Sequence, residues 1–385
     1  MCGGSRGGHL SREPRAAARE SMGVSIMGFL NYRFAWPFFF LLDPETAHAA
    51  AIWALKHGYV VPDARPDDPI LATRVWDLSF SNPIGLAAGF DKDAEVIDAM
   101  LGVGFGFVEA GTVTPLAQPG NPKPRLFRLE EDEGVINRLG FNSKGLAAFV
   151  EQLKSRQRAD RATGIVGANV GKNRDAADAA GDYETGIAAV CGLADYVVCN
   201  ISSPNTPGLR GLQARAPIEA LIARVLEARG RSAPNARKLP PLLAKVGPDL
   251  DEQQLRDIAE VALASGIDGL IIGNTTVDRP AELRSRYANE AGGLSGPPLM
   301  AKATACLAAM YRSTAGGLPL IGCGGVASGA DAYAKIRAGA SLVQVYSSLV
   351  FHGPELIGRV KRDLAQHLRA DGFKSVMDAI GADHR

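Results

Sequence analysis

Between Asn200 and Gly208 the chain sets two carboxamides, Asn200 and Asn205, around two serines, Ser202 and Ser203, directly after the apolar run Ala194 to Cys199. Amides and hydroxyls at that density can read the polar edge of a ligand. Pro204, Pro207 and Gly208 restrict the backbone, so the reading groups barely move. An ordinary polar turn is the alternative. Lys245 lies inside the apolar run Leu242 to Val246, where an ammonium needs an anionic or strongly polar partner unless it snorkels from a strand end. Asn137, Asn169 and Asn274 join Asn200 and Asn205 in offering donors and acceptors suited to a planar ring with carbonyl and N–H edges. Each alone also suits a turn or a cap. Lys92 can meet a carboxylate or carbonyl, and Asp91 beside it fits a helix cap. No histidine falls in these stretches, so neither a Ser-His triad nor a histidine metal centre is supported.

Two further segments suit an anion. Gly322-Cys323-Gly324-Gly325 and Tyr346-Ser347 combine bare backbone with helix starts, the composition of a phosphate cradle, and Gly292 to Gly296 adds a second flexible turn. A phosphorylated cofactor is the expected occupant.

Groups so scattered must be gathered by a frame. Eight apolar runs read as strands: Ile84 to Ala87, Gly106 to Ala110, Ile165 to Asn169, Tyr196 to Asn200, Leu242 to Val246, Gly269 to Ile272, Leu320 to Cys323 and Leu342 to Val345. Helical stretches rich in Ala, Leu, Arg and Glu separate them, the pattern of repeated βα units. Eight units fit a closed TIM (β/α)8 barrel of roughly 250 residues plus insertions better than an open sheet. In such a barrel the carboxyl ends of the strands carry the site, and almost every polar group above follows a strand.

The rest of the composition narrows the function. At 385 residues, 46% hydrophobic and 22% charged, with a net charge of +1, the chain supports a large core and no nucleic-acid partner. Five cysteines without CxxC spacing argue against disulfides or zinc. Residues 1–25 read as a disordered basic tail, either a leader without a role, the product of an early start codon, or a transit peptide. Seven aromatics fall between Phe29 and Phe40, with Pro37 interrupting a run too short for the roughly 20 residues of a spanning helix. A second helix is expected from Asp43 as N-cap through Pro44 to Gly58. This pair of apolar helices fits an interfacial anchor, a tunnel mouth or simple packing on the body.

With these residues in hand, the chain resembles class 2 dihydroorotate dehydrogenase, the quinone-dependent, membrane-associated family, from about Leu42 to Arg359. The matching stretches are Asn82 to Lys92, Gly111 to Pro115, Asn137 to Asn142, Asn200 to Gly208, Asn274 to Thr276, Gly292 to Gly296 and Gln344 to Ser347. The resemblance implies an FMN-containing enzyme that oxidises dihydroorotate to orotate in pyrimidine (UMP) synthesis and passes electrons to ubiquinone or menaquinone. It implies Ser203 as catalytic base, where class 1 enzymes carry cysteine. FMN would be held by Ala88, Gly89, Phe90, Asp91, Lys92, Thr112, Asn169, Asn200, Lys245, Gly273, Gly296, Gly325, Tyr346 and Ser347. Orotate would meet Lys92, Asn137, Arg138, Leu139, Gly140, Phe141, Asn200, Asn205, Asn274 and Thr275. Gly273 departs from the threonine frequent in bacterial relatives. The expected organisation is a tail (1–25), a two-helix extension admitting quinone from a membrane surface (26–62) and the barrel (63–385). The expected location is the cytoplasmic face of a bacterial inner membrane, with the mitochondrial inner membrane as alternative. A class 1-like enzyme using fumarate or NAD, and a non-catalytic membrane-bound flavoprotein scaffold, are the rival functions.

Overall fold

The computed structural model describes residues 38–63, 65–159, 164–232 and 238–385. The tail 1–25 and the aromatic stretch from Phe29 to Trp36 lie outside the described residues. Of the first expected helix only its end, residues 38–41, is described.

A short hairpin, β1 (Thr73–Val75) and β2 (Leu78–Phe80), precedes the barrel. Parallel strands then follow: β3 (Ile84–Leu86), β4 (Phe107–Val113), β7 (Ile165–Val170), β8 (Tyr196–Asn200), β9 (Leu242–Val246), β10 (Gly269–Ile272), β12 (Leu320–Cys323) and β13 (Leu342–Val345). They pair in that order, and β13 returns to β3 to close the barrel. All eight expected strands are therefore barrel strands. Their near-continuous apolar runs reflect burial on both faces, inward against the barrel interior and outward against helices. Val75 and Phe80 of the hairpin pack with Phe107, Tyr196, Leu243 and Leu342, so the hairpin seals one end of the interior.

Besides the hairpin strands β1 and β2, three further strands were not anticipated. β5 (Leu126–Leu129), β6 (Gly134–Asn137) and β11 (Gly293–Ser295) form an antiparallel sheet in the order β11-β6-β5. Segments of three or four residues are too short to show a period, and β11 finds its partner far along the chain.

The helix Pro44–Lys56 begins as its sequence implies: the Asp43 carboxylate accepts from the N–H groups of Glu45 and Thr46, both at 3.1 Å, and Pro44 occupies the first turn. Two arginines fasten this region to the antiparallel sheet and the loop before it. Arg125, nearly buried, grips the Glu45 carboxylate through Nη2 (2.8 Å) and Nε. Arg128 of β5 donates to the carbonyls of Phe39 (3.0 Å), Phe40 (3.1 Å) and Leu42 (2.5 Å) and stacks over the Phe40 ring. Among the described residues no helix is long and apolar enough to cross a membrane.

Candidate active site

A cavity of about 1110 Å³ opens between the helix Pro44–Lys56 and the carboxyl ends of the barrel strands. Its lining changes character along its length. Phe39, Phe40, Ala51, Leu55, Tyr59 and Val60 make one part apolar, while Lys92, Thr112, Asn137, Asn200, Ser203, Asn205, Lys245, Asn274 and Thr275 make another polar.

The residues singled out from sequence converge here. Ala88, Gly89, Phe90, Leu139, Gly140, Phe141, Gly296, Gly325, Tyr346 and Ser347 also line the cavity. Four others sit behind its wall. Asp91 is buried and accepts from the N–H groups of Glu95 (2.8 Å) and Val96 (2.9 Å), so it holds the turn before the helix Ile97–Gly102, which has no side-chain cap of its own; burial pushes its carboxyl up to about 6. Arg138 turns away to Glu290 (2.7 Å) and stacks on Phe127. Asn169 is buried beneath Thr112. Gly273 has φ 112°, and a Cβ there would lie 2.1 Å from the Cys323 carbonyl oxygen. Glycine is thus required at 273 by this backbone, whatever relatives carry.

Beneath the polar part runs a chain of hydrogen bonds. Asn169 Nδ2 donates to Glu109 (2.7 Å) and the Thr112 hydroxyl donates to Asn169 Oδ1 (2.6 Å). Asn200 Nδ2 donates to Thr112 Oγ1 (2.8 Å), and both the N–H and the hydroxyl of Ser202 donate to Asn200 Oδ1 (3.2 and 2.6 Å). Asn274 Nδ2 completes it, donating to Ser202 Oγ (2.7 Å). Strand ends supply these groups because each side chain at the rim points inward at a fixed level of the barrel.

The loop 200–208 closes over this layer. Asn205 Nδ2 reaches Asn137 O (3.0 Å) on β6, and Arg210 ties the Ser202 carbonyl to Asp249 (2.9 Å) and the Thr275 carbonyl (3.1 Å). Ser203 is buried, and its Oγ accepts the N–H of Asn205 at 3.2 Å. Cys199, near it in sequence, is a different kind of group: burial pushes its thiol up to about 12, so it carries no thiolate near neutral pH.

Two lysines face the cavity. The Lys92 ammonium donates to the Gly89 carbonyl (2.6 Å), and desolvation pushes it down to about 8 against the pull of Asp93 and Glu45. Lys245 is 3% exposed and has neither an ion pair nor a hydrogen bond from its ammonium among the described residues.

Sequence reasoning passed over His48 and Arg128, both cavity residues. His48 packs edge-on against Phe90 at 5.2 Å, and burial, reinforced by the charge of Lys92, pushes it down to about 3, so it is neutral. The signal was present: Pro44, Ala47, His48, Ala51 and Leu55 recur at helical spacing and form the face turned to the cavity.

A profile of dihydroorotate dehydrogenase matches residues 70–368. The chain belongs to the dihydroorotate dehydrogenase family. A relative from Azorhizobium caulinodans named dihydroorotate dehydrogenase (quinone) is 63% identical over 354 residues, 92% of this chain and 99% of its own length. The mitochondrial dihydroorotate dehydrogenase (quinone) of Mus musculus is 49% identical over 349 residues, 90% of this chain and 88% of the relative. Among solved structures, the Eimeria tenella dihydroorotate dehydrogenase in complex with ferulenol superimposes with a TM-score of 0.86 at 44% identity, covering 90% of this chain and 99% of the other. The expectation of a quinone-dependent member accords with the names of both relatives.

Proposed function

We propose that the chain oxidises dihydroorotate to orotate in pyrimidine synthesis, with FMN as hydride acceptor and a membrane quinone, ubiquinone or menaquinone, as final electron acceptor. The observation that carries this reading is the continuity of the cavity, which joins an apolar mouth to a polar, amide-lined end. A quinone and a pyrimidine carboxylate differ in polarity as those two parts do.

The residues fit a flavin nucleotide. Among the described residues, the cavity-lining Asn142, Thr275 and Gln344 have Oδ1, Oγ1 and Oε1 buried without partners, and Lys245 has no counterion. Together they leave acceptors, a hydroxyl and a cation for a ring with N–H and carbonyl edges. Gly324 and Gly325 take φ 102° and 86°, and a Cβ on Gly325 would lie 2.4 Å from Met300 Cα, so this turn keeps its backbone bare beside Ser347, as a phosphate requires. The chemistry that a bound flavin supplies is two-electron acceptance from carbon 6 of the substrate and return of those electrons to quinone.

In this reading Ala88, Gly89, Phe90, Thr112, Lys245, Gly296, Gly325, Tyr346 and Ser347 hold the cofactor, with Asp91, Asn169 and Gly273 shaping the wall behind them. Lys92, Asn137, Leu139, Gly140, Phe141, Asn200, Asn205, Asn274 and Thr275 hold dihydroorotate, and Arg138 braces their loop. Ser203 removes the proton from carbon 5. A hydroxyl is a weak base, and the N–H of Asn205 at 3.2 Å favours its anionic form. Thr206, whose buried hydroxyl has no partner among the described residues, is placed in sequence to receive the proton. Lys92 pairs with the substrate carboxylate, which repays the desolvation of its ammonium. Exposed Phe38, Leu41, Trp53, Tyr59 and Val61 around the mouth support peripheral attachment to a membrane, at the cytoplasmic face of a bacterial inner membrane. The same reading divides the chain into tail (1–25), access extension (26–62) and FMN-binding barrel (63–385).

The test is anaerobic. Dihydroorotate should bleach the yellow chromophore of the purified protein, and a short-chain ubiquinone should restore it. A chromophore untouched by dihydroorotate overturns the assignment.

A further inference from the structure

Glu109 is an acidic side chain wholly enclosed in the barrel, 0% exposed on β4, and it does not line the cavity. Both of its oxygens are engaged by neutral donors: Oε1 by Asn169 Nδ2 (2.7 Å), Oε2 by the Tyr196 hydroxyl (3.1 Å) and Gln344 Nε2 (2.7 Å). A buried carboxylate of this kind is costly unless fully hydrogen-bonded, and hydrocarbon could fill its place. Its position at the foot of the Asn169–Thr112–Asn200–Ser202–Asn274 chain gives it a use.

Every bond in that chain points the same way, toward Glu109. The amides and hydroxyls between could in principle reverse, since each carries both a donor and an acceptor. The ends cannot. A carboxylate only accepts, and the Ser202 backbone N–H, which bonds Asn200 Oδ1 at 3.2 Å, only donates. If Asn200 turned over, its NH₂ would face that N–H, two donors without an acceptor.

We propose that Glu109 is a positioning residue that holds this chain in the sense demanded by the backbone N–H groups of Ser202 and Thr275, which bond Asn200 Oδ1 (3.2 Å) and Asn274 Oδ1 (2.8 Å), and so keeps both amides seated for the pyrimidine. The inference rests on the proposed reading that those two amides bind substrate. An amide in place of the carboxylate has one oxygen for these donors: with its NH₂ toward Gln344 it turns that amide over at the cavity wall, and with its NH₂ toward Asn169 it turns Asn169 over and passes the reversal through Thr112 to Asn200. There it would collide with the fixed N–H of Ser202. One bond must then be lost next to the ligand.

The test uses the flavin-loaded protein, orotate binding followed by the shift in the flavin spectrum, and thermal unfolding. Turnover of dihydroorotate by the unaltered protein is measured first; its absence overturns the assigned activity, independently of the role of Glu109. Glu109→Gln should weaken orotate at least about tenfold, and raise KM for dihydroorotate by more than it lowers kcat. Tyr196→Phe removes a donor to the same carboxylate without changing the sense of the chain, so Tm should fall while orotate affinity stays within about threefold. The decisive variant is Glu109→Gln with Asn169→Asp. It moves the acceptor-only group one residue along, where it accepts from both the new amide and the Thr112 hydroxyl, and should recover most of the lost affinity. The proposal is overturned if Glu109→Gln binds orotate normally, if the double variant recovers nothing, if Tyr196→Phe weakens orotate as much as Glu109→Gln does, or if neither variant at 109 folds.

Discussion

The two ends of the cavity are built by opposite means. At the polar end, side chains are held by one another: Asn200 is fixed by Thr112 and Ser202, Asn205 by Asn137, and the loop base by Arg210. At the apolar end, Phe38 is 71% exposed, Leu41 83% and Trp53 55%, and the segment is fastened to the body largely by Arg125 and Arg128. The difference follows from what each end has to recognise. Hydrogen bonds weaken steeply with distance and angle, so groups that read a heterocycle must be locked. Apolar contact is non-directional and scales with area, so a mouth for a hydrophobic ligand needs surface and an anchor.

The sharpest way to break the polar end is at Ser203. Ser203→Ala should cut flavin reduction by dihydroorotate by roughly 10²–10⁴-fold while leaving orotate binding near normal, as read by stopped-flow absorbance beside a spectral titration. Reduction at the normal rate would remove Ser203 from the reaction.

Lys92→Met should come next, and it should separate function from stability. Dihydroorotate binding should fall by about 10²-fold or more, the usual cost of stranding a charged partner. The ligand-free protein should become more stable by roughly 1–3 kcal/mol near pH 7, because the buried ammonium is held against desolvation. The sign follows from the depressed value: in the native state Lys92 releases its proton near 8, the unfolded chain not until its ordinary range, so its contribution to stability grows as pH rises from 8 and is lost as pH falls through 8. Unfolding midpoints at pH 7 and pH 9.5 for both proteins measure it; equal pH dependence in the two would refute it.

The same group limits catalysis at alkaline pH. With Ser203 as base, kcat/KM should rise with pH and then fall above about 8 as free Lys92 loses its charge. Lys92→Arg should abolish the falling limb even at a lower overall rate. A falling limb unchanged in that variant would assign it to another group.

The apolar end should respond more gently and in another observable. Glu45→Gln, which loosens the grip of Arg125, should lower Tm by an amount corresponding to about 1–2 kcal/mol and raise KM for quinone, without altering flavin reduction by dihydroorotate well below pH 8, where Lys92 keeps its charge without the pull of Glu45. Trp53→Ala should have the smallest effect, weakening attachment to lipid vesicles by a few-fold with Tm unchanged, since Trp53 is exposed. A loss of substrate binding in either variant would show the two ends to be coupled.

Much of this was legible in the chain. Eight apolar runs of strand length fixed the barrel because a strand buried on both faces leaves a local, uninterrupted signature, and the polar groups that follow such runs had to gather at one rim. The Asp43-Pro44 helix start was equally local. Three things were decided only by the folded chain, each because it depends on residues distant in sequence. β5, β6 and β11 become a sheet only when Gly293 meets Asn137. His48 and Arg128 join the cavity only when the helix docks. Glu109, an acid in an apolar strand with no motif around it, acquires its meaning from Asn169, Tyr196 and Gln344, which come from three other strands of the barrel. Residue types set which hydrogen bonds are available, and only closure of the barrel decides which way they run.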